Sequence, residues 1–397
     1  MFLPESRRDR ARMAALLAVA TMTVMSTVFI APALPAMAAA FADRDDADFL
    51  VKLSMTLPSL SIVLCAPLMG WAVDRFGRRR ILLGSMLLYG AAGSAGYLLQ
   101  DLTHIIISRL FLGLGIAGTM TTTTTLAGDY FDGEARTRFA RLQSVVMSLG
   151  AMALVGIAGV VSDFGWRYAF LLYMVGWVLF IPVMLAIDEP KRAVHAAHVP
   201  GQALPAAPPR AQMAAVYAIS VFCTAMYFMV PTQLPFVAQE VGITSALLCG
   251  VGVGLASMAA AAGSALYTRI RRGRGFLYVY AVSFGLMGAG YALIGLVPAY
   301  PALLLGAVVS GVGVGLFYPN GTLWALSLAP PAWRGRVAGG LTASFNFGQF
   351  SSPLVAQPAV AATSLHGAFA LAAALMVVVG VAFTFLREPR PPARPRG

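Results

Sequence analysis

The chain has 397 residues, of which 59% are hydrophobic and 11% charged. A soluble domain carries about twice that share of charge, so an ordinary water-soluble fold is excluded and the apolar excess must face lipid. The formal charge of +12 does not point to nucleic acid, because the basic residues stand in small clusters between apolar runs and not in one patch or tail.

A helix needs roughly 20 apolar residues to cross about 30 Å of hydrocarbon. Runs of that kind, bounded by charge or by Pro and Gly, predict spans near residues 13–41, 49–73, 79–99, 103–127, 139–161, 166–187, 212–238, 243–268, 276–297, 301–328, 336–360 and 364–386. The first is expected to remain as a span, since no small-residue cleavage site precedes the charged stretch Asp43–Asp48. Cys65, Cys223 and Cys249 fall inside apolar runs at spacings that match no zinc or redox motif, and read as buried thiols.

With the N-terminus inside, the cytoplasmic segments collect 24 of the 28 basic residues. Arg44, Lys52 and Arg167 fall outside, and Arg109 alone lies within a span. The positive-inside rule therefore predicts both termini in the cytoplasm and an even number of spans. The expected location is a bacterial inner membrane, the scarcity of lysine (Lys52 and Lys191) beside abundant arginine and alanine pointing to a GC-rich bacterial genome.

Between the sixth and seventh runs, residues 188–211 are polar and rich in Pro and Ala, a composition that tethers two bodies loosely. The expected organisation is a bundle of residues 1–187, this cytoplasmic linker, and a second bundle of residues 212–397. The halves repeat at an offset of 198 residues: Gly113 and Gly115 map onto Gly311 and Gly313, Arg136 and Arg138 onto Arg334 and Arg336, and Gly77 onto Gly275. Six helices per half preserve orientation, so the repeat is parallel, a plan in which substrate binds near the bilayer midplane.

The motifs follow in chain order. Gly70-Trp-Ala-Val-Asp74-Arg75-Phe76-Gly77-Arg78-Arg79-Arg80 joins the second and third spans. It resembles the signature loop of the major facilitator superfamily, G-x-x-x-D-R-x-G-R-R/K. In such a loop Gly70 permits a close helix approach, Asp74 accepts hydrogen bonds from a helix N-terminus and Gly77 forms a tight turn. In the fourth span, Arg109-Leu-Phe-Leu-Gly113-Leu-Gly115 is similar to the superfamily's second motif. An intramembrane charge is costly and usually functional, although Arg109 lies only about 9 Å from the outer end, within snorkelling reach. At the inner end of that span, the loop from Asp129 to Arg138 resembles the one that joins the first motif in a charge network. The resemblance implies a conformational latch of Gly70, Asp74, Arg75, Gly77, Arg78, Asp129 and Arg136, with a solvated charge cluster as the alternative.

The fifth span lacks the proline of the superfamily's drug-antiporter motif, reading Gly150-Ala-Met-Ala-Leu154-Val155. Thr27, Met25, Met226, Tyr227, Gln233, Asn320, Trp324, Asn346 and Gln349 are candidates to line a substrate cavity, or else bond neighbouring helices. Asn346 and Gln349 share a helix face. The run Thr121–Thr125 reads as structural, its hydroxyls bonding the preceding turn.

The expected fold is an all-α membrane protein of twelve transmembrane helices in two pseudo-symmetric six-helix bundles. No Walker loop or catalytic cluster is present, so no enzyme is expected. By resemblance to the drug and metabolite exporters of the superfamily, the expected function is a proton-coupled secondary transporter. Its cargo would be a small amphipathic molecule, neutral or anionic, moved by alternating access. No cofactor, metal or nucleic acid is expected beyond the proton gradient, lipid and substrate, and the protein is expected to be a monomer. The alternatives are import of a metabolite, or of copper(I) through sulfur ligands in spans 1 and 7, and a non-transporting receptor or scramblase.

Overall fold

The computed structural model describes residues 6–190, 208–330 and 333–386, apart from a few side chains between 24 and 28 and between 144 and 152. All twelve predicted runs are helical. The spans are α1 (Arg7–Val28, with a short tail Ala31–Ala40), α2 (Ala47–Phe76), α3 (Arg78–Ser94), α4 (Leu102–Tyr130), α5 (Gly133–Asp163) and α6 (Trp166–Ala186). They continue as α7 (Arg210–Glu240), α8 (Ala246–Arg271), α9 (Phe276–Leu296), α10 (Tyr300–Leu328), α11 (Arg334–Ala362) and α12 (Leu365–Phe385). Eight of them, including α2, α4 and α6 to α10, are long and apolar enough to cross a membrane unaided. Side chains such as Leu64, Leu185 and Val378 stand more than 60% exposed on these surfaces, where lipid replaces water.

Local chemistry sets where the helices start and break. Asp101 caps α4, its carboxylate accepting the Thr103 and His104 N–H groups, and Ser364 caps α12 through the Gly367 N–H. Three spans are interrupted: α6 runs as a 3-10 helix, Trp166–Met174, followed by short helices Val175–Val178 and Phe180–Ala186, and prolines mark the other two. The sequence Pro32-Ala-Leu-Pro35 follows the end of α1, and α7 divides between Tyr227 and Met229, ahead of Pro231. A proline has no N–H to give the fourth carbonyl before it, so the helix yields there.

The described residues fall into two compact units, Met1–Pro200 with Pro231–Gly254, and Gly201–Val230 with Leu255–Gly397. The division therefore runs through α7 and α8 as well as near the predicted linker. Within the first unit, Gly159 of α5 meets the start of α8, and Gly250 of α8 meets Pro32 and Val155. A Cβ added at Gly159 would lie 2.6 Å from Leu247 Cα. Asp163, at the end of α5, accepts hydrogen bonds from Ser245 Oγ and the Ala246 N–H at 3.0 and 2.5 Å. These contacts carry residues 231–254 into the first unit.

The 198-residue repeat recurs in the packing inside each unit. A Cβ at Gly113 would meet Pro58 O at 2.4 Å, and one at Gly311 would meet Ala256 O at 2.3 Å. Gly115 faces Ser85 O and Gly313 faces Ser283 O. Both neighbours are offset by the same 198 positions, so each half closes its second, third and fourth helices with the same glycine contacts. A tyrosine on the third helix of each half also reaches back to the first. Tyr89 Oη donates to Met22 O at 3.1 Å, and Tyr291 Oη donates to Met226 O at 2.5 Å.

Candidate functional site

The turn between α2 and α3 is built around Gly77, whose φ of +96° favours glycine. The space a Cβ would need is occupied by Glu189, whose Oε1 would lie 2.9 Å away. Glu189 stands just beyond α6. Its carboxylate accepts the backbone N–H groups of Arg78 and Arg79 at 2.8 and 2.9 Å and so caps α3. This helix start is capped by Glu189, a residue not singled out from the sequence, while Asp74 and Arg75 are exposed. Gly70 also departs from expectation, because a Cβ there would meet nothing within 4 Å.

Of the residues assigned to the latch, Arg78 and Asp129 form an ion pair, with Nε 3.1 Å from Oδ2 and both side chains largely buried. Arg136 stays exposed and takes no part in this pair. A second acid after α6, Asp188, binds Arg8 and Arg12 at 2.9 Å each. The Arg12 hydrogen bond holds its carboxyl below the usual carboxylate range. Tyr130 Oη donates to the Asp188 carbonyl, and the Arg12 guanidinium lies 4.6 Å from the Tyr130 ring centroid. The arginine-rich end of the first unit is thus tied by α1, α3, α4 and the two acids after α6.

Arg109 is fully buried, so it does not snorkel. Its Nη2 donates to the Ala92 and Gly93 carbonyls at 3.0 and 2.8 Å, near the C-terminus of α3, where the helix dipole is negative. The guanidinium carbon lies 4.8 Å from the Phe170 ring centroid and 5.1 Å from that of Tyr173. Backbone carbonyls and two rings compensate this charge. Two acids toward the ends of spans are engaged elsewhere: Asp101 caps α4 and Asp163 binds the start of α8.

The cavity candidates separate by their partners. Asn320 is consumed in packing the second unit, accepting from Tyr267 Oη and donating to Phe276 O. Trp324 stacks on Phe276 with ring centroids 5.8 Å apart. Asn346 donates to its own helix at Thr342 O. Met226 is buried and supplies the carbonyl taken by Tyr291, Met25 is buried in α1, and Tyr227 is half-buried at the break in α7. Thr27 lies outside the described residues. Two amides differ from the rest. Gln233, on α7, is fully buried and neither Oε1 nor Nε2 meets a hydrogen-bond partner among the described residues. On α11, Gln349 Nε2 and Ser352 Oγ are in the same condition, three residues apart on one face. An unpaired buried polar atom costs roughly 1–3 kcal/mol, so these positions are not explained by packing. Within the threonine run, Thr122, Thr124 and Thr125 each donate to the carbonyl four residues earlier, while Thr123 Oγ1 is buried without a partner among the described residues.

A further buried cation, besides Arg78 and Arg109, was not anticipated. Lys52, assigned from the sequence to the outer side, lies in α2 and is 1% exposed, with Nζ 4.4 Å from the Phe236 ring centroid.

The sequence model of the Major Facilitator Superfamily matches residues 16–278 and 274–397. The chain belongs to the major facilitator superfamily. The 3-(3-hydroxy-phenyl)propionate transporter of Escherichia coli (strain K12) is 28% identical over 349 residues, 82% of each chain. The bacillibactin exporter of Bacillus subtilis (strain 168) is 33% identical over 91 residues, covering 22% of this chain and 23% of that one. A crystal structure of the POT family transporter PepTSo superposes with a TM-score of 0.76 at 12% identity, covering 96% of this chain and 98% of that one. The superfamily membership makes this a membrane-embedded transporter of small organic molecules, with the twelve-helix, two-domain fold.

Superfamily motifs led to Gly77, Arg78 and Asp129, and missed Glu189 and Lys52. The acidic pair Asp188-Glu189 directly after the sixth apolar run was a usable signal, since a carboxylate at a span's end is free to cap a neighbouring helix. Lys52 had none beyond its position. It stands five residues inside α2, about 8 Å along the helix, where hydropathy alone does not separate a buried lysine from one that reaches the surface.

Proposed function

We propose that the protein is a proton-driven secondary transporter that carries a small amphipathic organic anion out of the cytoplasm by alternating access. It would sit in the bacterial inner membrane with both termini inside, and act as a monomer. The observation that carries the choice of an anion is the distribution of charge. Two cations, Arg109 and Lys52, are buried within spans. Every described acid lies in a connection or within an end turn of a helix. A charged group in low dielectric is tolerated only with compensation, so such an interior favours an incoming carboxylate over a cationic drug. The likeness to a transporter named for a substituted propionate supports the same class. The outward direction draws on the chain's resemblance to the drug and metabolite exporters of the superfamily, and on the match to the bacillibactin exporter over 91 residues.

The test is transport of 3-phenylpropionate in cells that express the protein. An energised cell is expected to hold less of the labelled acid than a control without the protein, and an uncoupler is expected to erase the difference. Accumulation above the control that increases as the medium is acidified would reverse the direction to import. No difference for any carboxylate tested would sink the anion reading.

A further inference from the structure

Arg109 is held by its Nη2, which donates to the Ala92 and Gly93 carbonyls, and its guanidinium lies against the rings of Phe170 and Tyr173, so that only Nη1 is left without a hydrogen-bond partner among the described residues. Lys52 is placed otherwise. Its ammonium rests on the face of Phe236, in the second segment of α7, at 4.4 Å from the ring centroid. Three residues before Phe236, hence on the same face and about 5–6 Å away at Cβ, stands Gln233, with both amide atoms buried and unpartnered among the described residues. All three belong to the first unit. Two exposed carboxylates bear on the ammonium, Asp48 one turn earlier on α2 and Glu240 one turn beyond Phe236 on α7.

The set contains three complementary functions: a cation on a ring face and, three residues along the helix from that ring, an amide offering one acceptor and two donor hydrogens. We propose that Lys52, Phe236 and Gln233 form a recognition site for an arylalkyl or aromatic monocarboxylate, and that Lys52, not Arg109, takes the carboxylate. The ring of the ligand packs on Phe236, and a polar ring substituent satisfies Gln233. Asp48 and Glu240 hold the ammonium when no ligand is bound and are displaced by the ligand's own carboxylate. Phe236 covers Lys52 in this structure, so entry requires the second segment of α7 to lift from α2. The break between Tyr227 and Met229 supplies a place for that movement.

This inference rests on the reading of the chain as a carrier of small organic anions, and its test separates the two. The parent, Lys52→Met, Lys52→Arg and Gln233→Leu are reconstituted in proteoliposomes, and KM is measured for 3-phenylpropionate and for its neutral isostere 3-phenylpropionamide. A lost charge-assisted bond corresponds to roughly ten- to hundredfold in affinity. Lys52→Met is expected to raise KM for the acid by that factor and to leave the amide within about twofold, while Lys52→Arg retains the preference for the acid. Gln233→Leu is expected to weaken 3-(3-hydroxyphenyl)propionate more than 3-phenylpropionate. Equal losses for acid and amide in Lys52→Met, or an unchanged KM for the acid, would overturn the assignment while leaving the anion carrier intact. A parent that moves none of the carboxylates would remove both.

Discussion

Arg78 and Asp129 form an ion pair with Nε 3.1 Å from Oδ2 and side chains 8% and 12% exposed. It joins the first turn of α3 to the last turn of α4. Removing one member of a buried pair leaves the other charge uncompensated, which costs about 3–5 kcal/mol, more than the pair itself contributes. Asp129→Ala is therefore expected to lower the thermal unfolding midpoint in detergent clearly more than the double variant Arg78→Met with Asp129→Leu. Equal midpoints for the two would show that the pair is solvated and of little consequence.

Gly77 and Gly70 offer a contrast within one motif. At Gly77 the backbone lies at φ +96° and ψ +154°, a region open essentially to glycine alone, and a Cβ would press on Glu189. The backbone term by itself is about 1–3 kcal/mol. Gly77→Ala is expected to reduce the yield of folded protein and its transport, and Gly70→Ala, with open space at its Cβ position, to leave both near the parent. Size-exclusion profiles and initial transport rates decide this, and a reversed order would contradict the turn geometry.

Glu189 caps α3 through the Arg78 and Arg79 N–H groups. Loss of an N-cap costs about 0.5–2 kcal/mol. Glu189→Ala is expected to destabilise the protein by that amount, and Asp74→Asn to change its melting temperature less. If Asp74→Asn proves the more damaging to stability, the cap assignment fails.

The acid at 188 is not expected to act as a proton switch. Its carboxyl is held below the usual range by the Arg12 hydrogen bond, with further help from the charges of Arg8 and Arg12. A depressed carboxyl contributes stability above its unfolded pKa of about 3.9 and loses it only as pH falls through the lower folded value. Between about pH 5 and 8 the group stays ionised, so Asp188→Asn should scale transport by one factor at every pH. A profile that changes shape in that window would assign it a titrating role.

Tyr89 and Tyr291 hold the Met22 and Met226 carbonyls, close to where α1 and α7 break. Each bond is worth roughly 0.5–1.5 kcal/mol. Tyr89→Phe and Tyr291→Phe are expected to show similar modest stability losses and faster amide exchange at residues 22–30 and 226–232, measured by hydrogen–deuterium exchange. Protection unchanged in both stretches would mean that the prolines alone define the breaks.

The sequence by itself determined the twelve runs, the parallel repeat, and the glycine turn at residue 77. The reason is that the bilayer acts on each residue almost independently: an apolar run of sufficient length is driven into lipid, and arginines gather where lipid ends, whatever the neighbouring helices do. The repeat was legible for a related reason, since Gly113 and Gly311 must be small wherever two helices touch, and smallness is written in a single letter. What each polar group bonds to was decided only by the tertiary structure. Arg109 read from its position as a functional intramembrane charge or one within snorkelling reach, and it is buried with carbonyls of α3 as partners, which have no sequence signature. Lys52 looked external and proved buried against Phe236. The start of α3 is capped by Glu189, more than one hundred positions away along the chain. Rotation of a helix about its axis and the break in α7 select these partners, and neither quantity is carried by hydropathy or by charge order along the chain.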